Sequence, residues 1–190
     1  MITESLTRSS KMLPKQAIRF GQLIKEGLSG PQIKNLSASL DLFPTPFKGI
    51  YYVPSPEEKK AWFIDRPNLA LKKALQLYLA TGDFYFSCTT AEEFFGLKWT
   101  PSGEIHIVNT KHSGRIDLAE RIRRNERKET FRAKKIAAIL SYYGNRIIFH
   151  KVKSIKGAKF KETPYGRFAL RSQIKKDRKR FRETRLSSPD

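Results

Sequence analysis

The chain has 190 residues, of which 39% are hydrophobic, enough to fill a core and to exclude a wholly disordered protein. Its single cysteine, Cys88, excludes an internal disulfide framework, and no apolar run is long enough to predict a membrane span. The N-terminus lacks the apolar segment of a secretory signal, so a cytoplasmic location is expected.

The formal net charge of +20 is unevenly distributed along the chain. Residues 1–54 carry +4, residues 55–110 carry −1 and residues 111–190 carry +17. Such an excess predicts a polyanionic partner, because opposite charge relieves the self-repulsion of the domain. Double-stranded DNA is the expected partner, since neutralised phosphates release condensed counterions. An anionic membrane surface or an acidic protein is the alternative.

The first elements in chain order are two short helices. Pro14 can open the first, apolar residues at helical spacing continue it, and Gly27 can end it. Pro31 can open the second, which turns Ile33 and Leu36 to the interior. The pattern predicts a helical pair with a tight corner between its members.

Two short strands follow, "LDLF" and "GIYYV", joined by the proline-containing loop "PTPFKG". Two helices and a hairpin in this order predict a winged helix-turn-helix over residues 13–54. In that interpretation the helix over residues 31–40 enters the major groove, and Lys48 contacts the backbone from the hairpin. The side chains assigned to base edges or phosphate are Gln32, Lys34, Asn35 and Ser39. A helical pair with a packing ribbon and no role in DNA binding is the alternative.

The rest of the chain predicts a mixed α/β domain over residues 67–170 and a basic arm over residues 171–190. A helix begins at Pro67, an aromatic strand "DFYFSC" follows, and a capping box of Thr89 and Glu92 opens another helix. Alternating strands such as "GEIHIV" and helical segments within 117–144 complete the pattern. The predicted fold class is therefore α+β, a winged helix followed by a mixed domain with a basic tail.

Two blocks of Lys and Arg are candidate phosphate contacts. Arg121, Arg124 and Lys128 share one face of a predicted helix, although neighbouring acids could make that face an ordinary salt-bridged surface. The tail from Arg171 to Arg185 holds eight Lys or Arg against two acids, which is typical of arms that order on nucleic acid. Its assigned contacts are Lys175, Lys176, Arg178, Lys179, Arg180 and Arg182.

Several short segments resemble the AbiEi-type antitoxins of type IV, abortive-infection toxin–antitoxin systems. The matching residues are Gly49, Ile50 and Tyr51, then Tyr85, then Ala91, Gly96 and Leu97, and the strand from Ile105 to Val108. The resemblance covers about residues 15–110 and implies a DNA-binding regulator that represses its own operon. It also implies a nucleotidyltransferase-like toxin as a genetic partner, without a tight stable complex.

The sequence shows no motif for a metal, a cofactor or catalysis, and a protein that is not an enzyme is expected. His106, His112 and His150 have no ligand spacing, and Cys88 has no second cysteine. Structural roles are expected for His106 and His150, which lie in predicted strands, and for Cys88 as a small buried thiol. A metal-dependent nuclease remains the alternative, with Asp83, Glu104 and Asp117 as its candidate carboxylates.

A further alternative is an RNA-binding protein. Phe84 and Phe86 lie on one aromatic strand, and aromatic strands in a basic protein can stack unpaired bases.

Overall fold

The computed structural model describes residues 16–186, and within them the side chains of 17–181. Pro14, predicted to open the first helix, lies outside this range. The chain forms two compact units: residues up to Ala80 with Ile122–Tyr143, and Thr81–Arg121 with the residues from Gly144 onward. The sequence predicted continuous domains over 13–54 and 67–170, whereas each observed unit takes two separate chain segments.

The first unit contains a small antiparallel sheet whose strand order is β1-β3-β2. Its elements are β1 (Gln16–Arg19), α1 (Phe20–Lys25), α2 (Gly30–Ser39), β2 (Phe43–Pro44), β3 (Ile50–Val53), α3 (Pro56–Ala61), α4 (Pro67–Leu79) and α7 (Phe131–Ser141). Two helices thus lie in sequence between an outer strand and the β2–β3 hairpin. A core cluster joins them, made of Ile18, Leu23, Ile33, Leu42 and Val53.

The first predicted helix is wrong in its N-terminal half, where the chain forms strand β1. Ile18 pairs with Tyr51 of β3, and its side chain is buried in the core cluster. Phe20 and Ile24, two of the apolar residues at helical spacing, are 36% and 43% exposed. Pairing with a strand more than thirty residues away decides the conformation here, and periodicity cannot report such a contact.

Helix α2 confirms the predicted second helix. The Ser29 hydroxyl accepts from Gln32 N at 3.4 Å, and Gln32 Oε1 accepts from Ser29 N at 2.7 Å. This reciprocal capping box satisfies two free amides at the helix start, and Pro31 fits the first turn because no amide is required of it there. Leu40 closes the helix in the left-handed conformation.

The β2–β3 connection confirms the predicted hairpin and is largely buried. Thr45 Oγ1 donates to the Ile50 carbonyl at 2.8 Å, and the ring of Phe47 stacks on Tyr78 at 4.6 Å. Gly49 has a φ of +74°, which a residue with a side chain rarely adopts. Buried contacts therefore hold the loop, and Lys48 is exposed at its tip.

The second unit contains a six-stranded mixed sheet in the order β6-β7-β5-β4-β9-β8. Its elements are β4 (Phe84–Phe86), α5 (Cys88–Phe94), β5 (Glu104–Asn109), β6 (Gly114–Asp117), β7 (Arg146–Lys151), β8 (Phe160–Thr163), β9 (Gly166–Ala169) and α8 (Arg171–Leu186). Pairs β5–β7 and β4–β9 are parallel, and the other neighbours are antiparallel. The division between the units falls within helix α6 (Leu118–Glu126).

The predicted basic arm is in fact helix α8 of the second unit. Ile174 and Asp177 are 2% and 3% exposed, so one face of the helix is buried although its neighbours are Lys and Arg. Phe181 continues this face and is half-buried. No helix within residues 16–186 has the length and apolarity that a bilayer span requires.

Helix α5 starts without the capping box predicted for Thr89 and Glu92. The helix begins at Cys88, and the side chain of Ser87 before it makes no capping bond. The Ser87 hydroxyl instead donates to Asp177 at 2.6 Å, and Glu92 forms an ion pair with Arg178. Both side chains have tertiary partners in place of helix-end amides.

Candidate nucleic-acid interface

The outer face of α2 is a solvent-exposed stripe. Pro31, Lys34, Asn35 and Ala38 are all exposed and follow the spacing of one helical face. Ile33 on the opposite side is completely buried, which fixes the rotation of the helix. The structure therefore places Lys34 and Asn35, two of the predicted base contacts, where a partner can reach them.

The other two predicted contacts on this helix have structural partners. Gln32 is half-buried and gives its Oε1 to the capping box. The Ser39 hydroxyl contacts the Asp41 carboxylate and also donates to the Leu36 carbonyl at 3.2 Å. These bonds hold the two ends of the helix, so fewer of the four side chains are available to a partner than the sequence predicted.

Cationic side chains stabilise the C-terminal end of α2. Arg132 of α7 donates from Nε to the Ala38 carbonyl at 2.7 Å, and a cation there complements the partial negative charge of the helix end. Asp41, just beyond the helix, forms an ion pair with Lys59. Burial raises the pKa of Asp41, but hydrogen bonds from Lys59 and Ser39 outweigh that effect and leave it below its usual value.

The predicted basic face on α6 is only partly exposed. Arg124 and Lys128 are exposed, whereas Arg121 is half-buried, and burial lowers the pKa of its guanidinium. Lys128 lies two residues beyond Glu126, the last residue of the helix. The three cations therefore do not form one equally accessible surface.

The second unit contains an open cationic cleft of about 850 Å³. It is lined by strands β6 and β7, the start of β5 and the C-terminal half of α8. Its polar and aromatic lining residues include Glu104, Arg115, Arg146, His150, Lys151, Arg180 and Phe181. Four Lys or Arg side chains and one carboxylate face the same space, which suits an anionic ligand.

Helix α8 contributes its charges unequally. Lys175, Lys176 and Lys179 are exposed, and Arg180 lines the cleft. Arg178 is held in an ion pair with Glu92 at 2.6 Å, so its predicted phosphate contact competes with an internal carboxylate. The side chain of Arg182 lies outside the described residues.

The carboxylates proposed for a nuclease do not converge on a common point. Glu104 and Asp117 both approach the guanidinium of Arg146, at 2.9 Å and 3.9 Å. Asp83 precedes β4 near the opposite end of β5 and lies 3.7 Å from Arg167. Within residues 16–186 no trio of carboxylates gathers as a metal-binding group.

The aromatic strand proposed to stack RNA bases is internal. Phe84 and Phe86 are each 3% exposed, and Phe86 stacks on Phe168 at 5.0 Å between ring centres. Their rings belong to the core of the second unit, so the prediction of a base-stacking platform at these residues is wrong.

Two histidines that are far apart in sequence lie side by side in this unit. His106 Nδ1 and His150 Nε2 are 2.9 Å apart, and Phe181 stacks on the His150 ring at 3.8 Å. Strands β5 and β7 run parallel with His106 opposite Ile148, which places both imidazoles on one face. The sequence showed no ligand spacing because the juxtaposition depends on strand pairing.

Cys88 begins α5 next to this pair and is 5% exposed. Burial, with the nearby Asp177 carboxylate, raises the pKa of its thiol to about 11. Its φ of +51° lies in the left-handed region, an uncommon conformation outside glycine. Surrounding structure must hold the backbone in this conformation, because it is strained for a residue with a side chain.

A buried polar network around Asp177 holds α8 to the sheet. Its carboxylate accepts from Ser87 Oγ at 2.6 Å, from Gln173 Nε2 at 2.8 Å and from the Tyr85 hydroxyl at 3.2 Å. These bonds compensate the loss of hydration of the carboxylate. Arg180 and Phe181, which line the cleft, are positioned by this anchor.

Comparison of the chain with models of protein families, with curated proteins and with solved structures finds no match in any of the three.

Proposed function

We propose that this protein binds double-stranded DNA through α2 and the β2–β3 turn and regulates transcription of its own operon. The exposed stripe of α2 is the observation that carries the proposal. It offers Lys34 and Asn35 beside the small residues Pro31 and Ala38, a shape that lets a helix approach base edges closely. Asparagine can bond adenine in a bidentate manner, and lysine can bond guanine or phosphate.

The order of elements in the first unit supports this proposal. In a winged helix-turn-helix, the second helix of the pair reads the major groove and the adjoining hairpin contacts the backbone. Here the chain runs β1-α1-α2-β2-β3 and the sheet has the order β1-β3-β2. Lys48, exposed at the hairpin tip, is the backbone contact in this arrangement.

The second unit contributes sequence-independent affinity in this proposal. Arg115, Lys151 and Arg180 line one cleft and can neutralise phosphates without reading bases. Exposed Lys175 and Lys176 on α8 extend the cationic character of the same unit. Binding should therefore weaken steeply as the salt concentration rises.

The biological setting follows from the resemblance to AbiEi-type antitoxins. We assign the protein an antitoxin-like role opposite a nucleotidyltransferase-like toxin, through genetic opposition and not through a stable complex. Co-expression with the product of an adjoining gene tests this role: the protein should restore growth that the toxin alone stops.

Fluorescence anisotropy with labelled duplexes tests the DNA proposal. The parent protein should bind the DNA upstream of its own gene at least about tenfold more tightly than a shuffled duplex of equal length. The double variant Lys34→Ala/Asn35→Ala should lose that preference. Lys60→Ala, which removes an exposed lysine from α3, is the matched control and should keep it. Equal affinity for both duplexes in the parent protein would overturn the assignment of α2.

The alternative of a metal-dependent nuclease has its own direct test. Plasmid incubated with the protein and Mg²⁺ or Mn²⁺ should stay intact, because Glu104 and Asp117 approach the same arginine instead of a shared metal position. Cutting that Glu104→Gln abolishes would favour the nuclease. Competition between duplex DNA and single-stranded RNA separates the remaining alternative, and duplex DNA should compete better.

A further inference from the structure

Three side chains with atoms that bind soft or borderline metals converge in the second unit. Their ligand atoms, the Cys88 sulfur and ring nitrogens of His106 and His150, all lie within 4.8 Å of one another. Ser87 N donates to the His106 carbonyl at 3.1 Å, which fixes the start of α5 against β5. The cluster is thus built from three elements of one unit by main-chain pairing.

The surroundings of His106 suit a metal ligand. Its Nε2 lies 3.5 Å from the Glu104 carboxylate, and its Nδ1 points to His150. A carboxylate beside one ring nitrogen favours the proton there and leaves the lone pair of the other available, as metal-binding histidines commonly require. Glu104 therefore orients the His106 ring while staying outside the set of three ligands.

The position of Cys88 is the second feature that favours a built site. The residue adopts a left-handed conformation that a cysteine rarely takes, and nine-tenths or more of it is shielded from solvent. Surrounding structure must over-determine such a conformation, which is a common property of functional positions. In this conformation, the only thiol of the chain lies beside the two imidazoles.

We propose that Cys88, His106 and His150 form a binding site for a single Zn²⁺ ion. One thiolate and two imidazoles are a ligand set that zinc prefers, and tetrahedral coordination needs one more ligand. His150 lines the cationic cleft, so a water molecule or a ligand entering from the cleft supplies the fourth. On binding, the thiol releases its proton to solvent and the metal takes the place of the contact between the imidazoles.

Absorption spectroscopy with Co²⁺ tests this site directly, because a bound thiolate gives Co²⁺ a near-ultraviolet charge-transfer band. The tag-free, chelator-treated full chain is titrated with Co²⁺ and then with Zn²⁺. We expect one Co²⁺ per chain, a charge-transfer band with visible bands of tetrahedral intensity, and loss of all of them as Zn²⁺ displaces cobalt. Since the chain has one cysteine, any such band comes from Cys88.

Matched variants assign the ligands. His150→Gln should weaken Co²⁺ binding at least about a hundredfold, and Glu104→Gln about ten- to a hundredfold through the orientation of His106. His112→Gln is the control, since His112 is exposed and joins no such cluster among the residues that the structure describes, and it should bind as the parent does. Cys88→Ser should lose the charge-transfer band, with circular dichroism checking its fold.

If Cys88→Ser does not fold, His150→Gln carries the assignment, because its half-buried side chain tolerates replacement better. Saturable binding without a charge-transfer band would overturn the proposal. So would the absence of binding at micromolar metal, or an equal effect of His112→Gln and His150→Gln. The proposal is independent of DNA binding, and each can fail without the other.

Discussion

The Asp177 carboxylate accepts a hydrogen bond from the Ser87 hydroxyl at 2.6 Å, joining the C-terminal helix to the end of strand β4 across 90 residues of sequence. Asp177 is 3% exposed and also accepts bonds from Tyr85 and Gln173. A helix rich in Lys and Arg is thereby attached to the sheet through one buried acid.

Replacing Asp177 should therefore loosen the second unit. Asp177→Ala leaves three donors, two of them on buried residues, without their acceptor and should lower the free energy of unfolding by about 3 kcal/mol. Lys176→Ala, on the exposed side of the same helix, should change it by less than about 0.5 kcal/mol. Urea unfolding followed by circular dichroism measures both, and equal effects would contradict the anchoring role.

Removing the hydroxyl from two tyrosines of the first unit should change the stability of the protein in opposite directions. Tyr52 donates to the buried Glu58 at 2.9 Å, so Tyr52→Phe should destabilise by about 1–2 kcal/mol. The Tyr143 hydroxyl is buried and has no hydrogen-bond partner among the described residues. Tyr143→Phe should therefore stabilise by about 1 kcal/mol. Thermal unfolding of the two variants gives the sign of each stability change, and a destabilised Tyr143→Phe would contradict this account.

Stability should fall in alkaline solution. Burial, with nearby carboxylates, raises the pKa of Tyr52, Tyr85 and Tyr143 above their ordinary value of 10.0. The unfolded chain therefore loses these protons first, and unfolding becomes easier as the pH rises past 10. Between about pH 9 and about pH 11, the free energy of unfolding should fall less in Tyr143→Phe than in Tyr165→Phe, whose ring is exposed. Urea unfolding of both variants at the two pH values measures this fall in the free energy of unfolding.

The cationic cleft should contribute salt-dependent affinity for DNA. Arg115→Ala and Lys151→Ala should each weaken binding to matched and shuffled duplexes alike, and each should reduce the slope of log K against log salt by about one. Lys161→Ala, an exposed residue of β8, is the control for a general change in net charge. Anisotropy titrations at several salt concentrations give the slopes; unchanged slopes for both cleft variants would remove the cleft from the DNA surface.

Local signals in the sequence predicted the elements that local chemistry controls. The start of α2 is indicated by Ser29, Gly30 and Pro31. Its capping box joins two residues that are three positions apart. Pro67 likewise opens α4 as predicted. The hairpin after α2 follows from the glycine that its turn requires, Gly49.

Elements that depend on distant partners could not be predicted in this way. Periodicity predicts a helix where β1 forms, because the pairing partner β3 lies more than thirty residues away. The charges of α8 predict a basic arm that orders on nucleic acid, because they obscure the spacing of Ile174, Asp177 and Phe181. That spacing of three and four residues was the available signal for a buried helical face.

The candidate sites also contain features that local periodicity predicts and features that depend on distant contacts. The exposed Lys34 and Asn35 were predicted because the face of a helix follows from its own periodicity. The proximity of His106 and His150 was not predicted, since it requires the parallel register of β5 and β7. The partnership of Arg178 with Glu92 was missed for the same reason, because it joins residues 86 positions apart.

The chain leaves the first unit after Ala80, returns at Ile122 and leaves again after Tyr143. During synthesis, residues 16–80 emerge from the ribosome long before α7, whose Arg132 ties down the end of α2. The unit that we assign to operator recognition therefore lacks a packed segment until Phe131–Ser141 has been made. In our proposal, a product that stops before Phe131 would thus be a poor repressor, and competence for recognition would arise only after this helix has joined the unit.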